Sequence, residues 1–180
     1  NMERHHDVAN QLVKSDMAYH CYASQEDIAD FQLEAKKKGT STIFRSPWRE
    51  STVVSNKRKK SVIRLRCPQL GNTQINDKVK GNIIWKNNTL DDLILLRADG
   101  TPTYMLAVVV DDYDMNVTHV IRGDDHLTNT ARQILIYKAM GWKIPEFAHI
   151  PLIHGTDGEK LSKRHGAISV TEYETMGYPP

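Results

Sequence analysis

Three cations and a hydroxyl crowd one short stretch: Lys160, Lys163 and Arg164 flank Leu161 and Ser162, behind the turn-forming residues Gly155-Thr156-Asp157-Gly158. Ammonium groups spaced that closely can fold over a triphosphate. There they stabilise charge developing on the α-phosphate and pyrophosphate as an acyl adenylate forms, with little reorganisation if the loop is held in place. A solvated surface loop has the same composition, so the string gains meaning only from what precedes it. A second cluster, Arg122-Gly123-Asp124-Asp125, sets a guanidinium beside two carboxylates. The planar fork of arginine suits bidentate carboxylate binding. The plain structural alternative is a strand-end arginine bridging Asp111 or Asp112.

The elements around these clusters order themselves as β-α-β. Residues 117–122 read as a strand, 129–140 as a helix stopped by Gly141, and 147–153 as a second strand. That order predicts a parallel, right-handed crossover whose ligands sit at the C-terminal ends of the strands. Arg122 to Asp125 and His154-Gly155 then share one rim, with the lysine loop directly after it. Residues 107–110 favour a strand by propensity, yet with 104–106 they also fit a buried helix, and periodicity leaves both open.

Upstream, Val8, Leu12, Val13 and Met17 recur at helical spacing, which predicts an amphipathic helix over the first twenty residues. A second helix over 25–38 starts at a capping-box-like Ser24 and Asp27, carries a partial apolar face of Ile28, Phe31 and Leu33, and ends on three lysines before Gly39. Residues 61–66 alternate as a half-buried strand should, and 74–79, 82–86 and 93–97 are further strands between turn residues. Residues 21–102 thus read as one α+β unit.

With 180 residues and 39% hydrophobic content, the chain has enough apolar material for a real core. No apolar run approaches the roughly 18 residues of a membrane span, and the first residues carry neither the apolar stretch nor the cleavage site of a signal peptide. A soluble, cytoplasmic protein is the expectation. Cys21 and Cys67 stand far apart without Cys or His neighbours at ligand spacing, so they are expected to be small buried hydrophobes rather than a disulfide or zinc site.

A net charge of +2 conceals a division. Residues 36–66 hold eleven Lys/Arg against one acid, whereas 91–125 hold eight acids against two Arg. A basic face that dense, built from Lys57, Arg58, Lys59, Lys60 and Arg64 with Lys36-Lys37-Lys38, Arg45, Arg49 and Arg66, attracts phosphate backbones; the acidic segment suits a small-molecule or metal-bearing site. Solvated charge runs are the bland alternative.

Placed after the β-α-β unit, Lys160-Leu161-Ser162-Lys163-Arg164 resembles the lysine loop of class I aminoacyl-tRNA synthetases, in the form typical of the glutamyl branch. Asp99-Gly100-Thr101-Pro102-Thr103-Tyr104, Val110-Asp111-Asp112, Val117-Thr118-His119-Val120-Ile121-Arg122-Gly123 and His149-Ile150-Pro151-Leu152 are similar to that bacterial family in order and spacing. The resemblance covers the whole chain, most closely 99–167.

It implies an α/β fold: the second half of a class I Rossmann domain carrying an inserted α+β connective domain that grips the tRNA acceptor stem. Residues 1–20 would be a helix of the catalytic domain, 21–102 the insertion, 103–167 the Rossmann half with the lysine loop, and 168–180 the start of a stem-contact region. Residues 104–114 become helical on this basis. It implies Lys160 and Lys163 as catalytic, and Lys160, Leu161, Ser162, Lys163, Arg164 and Asp125 as the ATP-binding set, with Leu161 and the backbone around Ile153 near the adenine. Tyr104, Val108, Arg122 and His126 fall at the glutamate site, Arg122 pairing with a carboxylate. Val108 stands where many members carry asparagine. Double-stranded RNA is read through its backbone and 2′-hydroxyls, which suits the basic patch.

The implied activity is ATP-dependent ligation of glutamate to tRNA, with Mg²⁺ on the phosphates, in an enzyme that is monomeric at full length. Two features depart from the family. The His-Ile-Gly-His motif of the first Rossmann half is not in the sequence, so a fragment unable to form the adenylate alone is expected. Of the Cys-x-Cys pair that binds zinc in some relatives only Cys21 is kept, so no metal is expected. A paralogue that glutamylates the queuosine base of tRNA, a non-catalytic tRNA-binding module, and a generic nucleotide-binding α/β protein stay open as alternatives.

Overall fold

A computed structural model describes residues 2–50, 60–154, 158, 160 and 176–177. The first helix, α1 (Met2–Lys14), buries Val8, Ala9 and Leu12 on one face. It is shorter than the expected twenty residues. Asp16 takes a left-handed backbone, the Met17 carbonyl accepts the Arg66 amide at 2.8 Å, and the chain enters β1 (Ala18–Cys21). Helical spacing of Met17 with Val13 is thus overridden by sheet pairing.

α2 (Gln25–Lys38) has the capping box its sequence predicts: Ser24 Oγ accepts from the Asp27 amide and Asp27 accepts from the Ser24 amide. Gly39, at φ +64°, caps its other end. Only Ala35 of this helix is buried; Leu33 is exposed and Phe31 makes an edge-on contact with Phe44 at 5.5 Å.

β1, β2 (Val62–Leu65) and β5 (Ile94–Leu96) form an antiparallel sheet in the order β1-β2-β5, with Ala18 opposite Leu65 and Ile63 opposite Leu96. β3 (Asn72–Asp77) and β4 (Gly81–Lys86) make a hairpin. β3 ends at Asp77, two residues short of the expected 79, because the Asp77 carboxylate accepts the amides of Val79 and Lys80 and turns the chain.

α3 (Tyr104–Asp114) settles the question that periodicity left open. Its Leu106, Val109 and Val110 are fully buried at helical spacing, facing α1 and a fourth helix, α4 (Leu127–Met140). Packing of that face outweighs the β preference of three successive valines. β6 (His119–Gly123), α4 and β7 (Glu146–Ile150) form the expected crossover, with β6 parallel to β7 and Arg122 opposite His149. β7 stops before Pro151, which has no amide to donate.

One core runs through α1, β1, β2, β5, α3 and α4, with Leu12, Leu65, Leu95, Val109 and Leu135 among its members. A smaller cluster of Ile75, Ile134 and Phe147 fixes the β3–β4 hairpin to α4 and β7. Cys21 and Cys67 are free and buried, as expected of small hydrophobes. No helix among the described residues is long and apolar enough to cross a membrane.

Candidate active site

The C-terminal ends of β6 and β7 lie side by side, and Arg122 projects there from the end of β6. Its guanidinium is half-buried and bonded along its inner edge to neutral acceptors. Nε donates to His149 Nε2 at 3.2 Å, and Nη2 donates to Thr130 Oγ1 and Gln133 Oε1 at 2.7 Å each, with a longer 3.4 Å contact to the His126 carbonyl. The Phe147 ring lies 5.6 Å below its carbon centre. Among the described residues no carboxylate pairs with it. The bridge to Asp111 or Asp112 offered by local sequence is not formed; Asp111 instead bonds His5 at 2.8 Å. Burial lowers the pKa of Arg122, opposed by the nearby Tyr104 phenol and Asp112 carboxylate. Asp112 in turn is raised by its own burial.

Tyr104, Val108 and Asp112 follow one another at four-residue spacing on α3, and so share a face. Tyr104, about half exposed, brings its ring centroid to 6.2 Å from that of His126. Tyr104, Arg122 and His126, three of the residues expected at an amino-acid site, thus gather around one rim although they come from α3, β6 and the turn before α4, and Val108 shares the α3 face of Tyr104. Gly123 follows Arg122 at the end of β6, beside Asp125 and Leu152. A Cβ there would stand 2.7 Å from Asp125 Oδ1 and 2.9 Å from Leu152 Cδ2, so a bare backbone is what lets these side chains close in.

Lys160 returns to this rim. Its backbone bridges His154, and Nζ donates to Asp125 Oδ2 at 2.5 Å, which lowers the pKa of Asp125. The other loop residues, Leu161, Ser162, Lys163 and Arg164, lie outside the described residues, as do Lys57, Arg58 and Lys59.

A cavity of about 620 Å³ is lined by Phe44, Arg64, Asp91, Arg97, Tyr104 and Arg132 among others. Here the basic segment departs from expectation. Arg64 is only 6% exposed, its Nη1 donating to the Asp92 carbonyl at 2.7 Å and its guanidinium 5.6 Å over Phe44. Arg45 and Arg49 bond the fully buried Asp92 carboxylate, and Arg66 bonds Asp16. Arg45, Arg49 and Arg64 serve the interior more than an outer phosphate-binding face, while Arg66 is taken up by the exposed Asp16. Lys36, Lys37, Lys38 and Lys60 are exposed.

Four residues of the arrangement escaped sequence reasoning: Asp77, Thr130, Gln133 and His149. His149 alternates with Phe147 on the buried face of its strand, a polar residue where an apolar one is the rule, and that was its signal. Asp77 fell inside the expected strand 74–79 and was not singled out there.

A parallel crossover with Arg122 and Lys160 at one rim is the arrangement of an α/β domain that takes ligands at its strand ends. The model of the class I (E and Q) tRNA synthetase catalytic domain matches residues 1–180, and the chain belongs to that family. Among its relatives, glutamate–tRNA ligase 1 of Cereibacter sphaeroides is 57% identical over 177 residues and glutamate–tRNA ligase 2 of Paracoccus denitrificans 59% identical over 177 residues; each alignment covers 98% of this chain and 38% of the relative. The crystal structure of a glutamate tRNA ligase from Elizabethkingia meningosepticum in complex with its amino acid superposes with a TM-score of 0.81 at 32% identity, covering 99% of this chain and 37% of the other. The chain thus spans well under half the length of the proteins it matches.

Proposed function

We propose that this chain is the part of an ATP-dependent glutamate–tRNA ligase that binds a carboxylate of glutamate and one side of ATP. The observation that carries this is Arg122: a half-buried guanidinium, fixed by neutral acceptors and paired with no described carboxylate, is suited to receive a carboxylate. Tyr104, Val108 and His126 form the surrounding walls. A site built for a charged partner rejects uncharged analogues strongly.

Glutamate, held there, attacks the α-phosphate through a carboxylate and displaces pyrophosphate; a hydroxyl at the tRNA 3′ end then takes the glutamyl group from the adenylate and releases AMP. Lys160 and Lys163 stabilise the charge that develops on the phosphates, with Leu161, Ser162, Arg164 and Asp125 completing the ATP-binding set and Mg²⁺ on the phosphates. Lys160 is held by Asp125 at the rim, so binding of a triphosphate exchanges one anion for another at its ammonium.

Residues 21–102 act as the connective insertion for the tRNA acceptor stem, with 103–167 as the Rossmann half and 168–180 beginning the stem-contact region. The exposed lysines of α2 and Lys60, with Lys57, Arg58 and Lys59, contact the RNA backbone, and the cavity beside Tyr104 supplies a route for its 3′ end. Arg64 lines that cavity from within.

The test is glutamate-dependent ATP–pyrophosphate exchange by the full-length protein carrying this chain, with and without Arg122→Gln. The expected result is robust exchange with glutamate and a loss of at least about a hundredfold in kcat/KM for glutamate in the variant, the scale of removing a charged hydrogen bond from a desolvated site. Unchanged glutamate kinetics in R122Q would remove Arg122 from the amino-acid site.

A further inference from the structure

Arg122 is the last member of a buried chain that begins in another part of the fold. Asp77, 2% exposed at the end of β3, accepts the backbone amide of His149 on both carboxylate oxygens at 3.1 Å. Its Oδ2 also accepts His149 Nδ1 at 2.6 Å. His149 is fully buried on β7, stacked parallel to Phe147 with ring centroids 6.0 Å apart. Its far nitrogen, Nε2, meets Arg122 Nε at 3.2 Å and Thr130 Oγ1 at 2.9 Å.

The chemistry of the donors fixes the direction of the chain. Guanidinium has only N–H groups, so Nε2 must offer a lone pair to Arg122. The imidazole proton therefore sits on Nδ1, where the Asp77 carboxylate accepts it. A carboxylate that holds a histidine in one tautomer, so that its second nitrogen is presented with a set orientation, is the arrangement by which outer partners orient ligating histidines. Here the oriented group is an arginine.

Asp77 is itself held in place by the Val79 and Lys80 amides at 3.0 and 2.9 Å. The Lys78 amide donates to the Phe147 carbonyl at 2.9 Å and joins the hairpin tip to β7. The guanidinium plane is thus referenced to the β3–β4 hairpin, through rigid strands rather than loops.

We propose that Asp77 and His149 are positioning residues, which set the plane of Arg122 so that its outer edge meets the amino-acid carboxylate. This rests on the assignment of Arg122 to the glutamate site. Hydrogen bonding to a planar fork depends steeply on orientation, so an arginine freed to swivel pays in conformational entropy each time it engages its ligand. The cost falls on the amino acid and leaves ATP untouched.

The experiment uses the full-length protein that carries this chain, with steady-state exchange assays on four variants. His149→Asn keeps a donor towards Asp77 but has no acceptor at the Nε2 position; Asp77→Asn removes the tautomer-setting carboxylate. Both are expected to raise KM for glutamate by about tenfold, a scale typical of removing outer partners at polar sites. KM for ATP stays within about twofold, and kcat changes little. His149→Gln places an amide oxygen where Nε2 was and returns KM for glutamate to within a few-fold of the parent.

Arg122→Gln separates the two levels. If it leaves glutamate kinetics intact, the site assignment fails; if it raises KM for glutamate while His149→Asn and Asp77→Asn do not, the positioning role fails. Equal losses for ATP and glutamate, or no rescue by His149→Gln, also overturn it. For variants that do not fold, the unmutated protein decides by nitrogen-15 NMR of the histidine rings. The expected spectrum has the His149 proton on Nδ1 and an Nε2 signal that moves on saturation with glutamate. A proton on Nε2, or an unmoved signal, would sink the proposal.

Discussion

Arg49 and Asp92 meet at 2.6 Å in the interior of the molecule, 43 residues apart in sequence. Asp92 is fully buried and also accepts the Tyr19 hydroxyl at 2.9 Å, Arg45 Nη1 at 3.0 Å and the Cys67 amide at 3.0 Å. Its backbone carbonyl takes Arg64. One carboxylate thus ties β1, the turn before β2 and the approach to β5.

Removing that carboxylate takes from the buried Arg49 and the partly buried Arg45 the acid they share, leaving Arg49 with only the exposed Glu50 at 3.4 Å. Asp92→Ala should lower the urea-unfolding free energy of the chain by about 3–5 kcal/mol, the range for breaking one side of a buried ion pair. Asp92→Asn should cost nearly as much despite its equal size, because charge rather than volume is lost. A change below about 1 kcal/mol in both would show that Arg45 and Arg49 find other partners.

Asp77 predicts an acid limit. Its folded pKa lies well below the ordinary value: burial pushes it up, but the amides of Lys80, His149 and Val79 and the His149 ring together outweigh that. A carboxylate whose pKa is depressed on folding stabilises the protein above its unfolded pKa, and that contribution fades as pH falls through and below roughly 4. Chemical denaturation at a series of pH values should therefore show a steeper loss of stability below about pH 4 in the parent than in Asp77→Asn. Parallel curves would mean that the Asp77 network does not survive in solution.

Both cysteines should be inert in the native protein. Cys67 has no exposed surface, and burial raises its thiol pKa to about 12; Cys21 is 1% exposed. Thiolate is the reactive form. Iodoacetamide labelling followed by mass spectrometry should find neither modified at about pH 8 in buffer, and both modified in denaturing urea. Native labelling of Cys67 would contradict its burial.

Gly123→Ala should separate stability from activity. The new methyl meets the far ends of Asp125 and Leu152, which can move, so thermal stability should change little. Displacing Asp125, a member of the proposed ATP-binding set, should raise KM for ATP several-fold in the full-length protein while KM for glutamate holds. Equal effects on both substrates would point to a distorted rim instead.

Reversing the charges of Lys57, Arg58, Lys59 and Lys60 should weaken tRNA binding and flatten its dependence on salt. Each phosphate that is no longer neutralised lowers the log–log slope by about 0.7–0.9. An unchanged slope in a filter-binding titration would place the RNA elsewhere.

Local physics was legible without coordinates. The capping box of α2, the glycine after α4 and the β6-α4-β7 order all depend on residues within a few positions of one another, whereas the half-buried alternation expected of 61–66 is not kept, since Arg64 is buried with Ile63 and Leu65. The loop around Lys160 and the carboxylate-matching Arg122 could be singled out for the same reason, since their chemistry is written in residue type and their placement in a strand-helix-strand sequence. Charge destination was not local. A basic segment and an acidic segment far apart looked like two surfaces, yet Arg45 and Arg49 of the first turn inward to Asp92 of the second. Pairing partners separated by tens of residues leave no pattern along the chain. The same holds for Asp77, His149 and Arg122, 72 and 27 residues apart, which become one hydrogen-bonded line only when the β3–β4 hairpin docks on β7. Helix or strand for 104–114 was likewise decided by packing, since three valines suit either and only the neighbouring helices supply a face to bury. Composition and spacing set which groups were available; the close packing of distant strands set which of them were left free for a ligand.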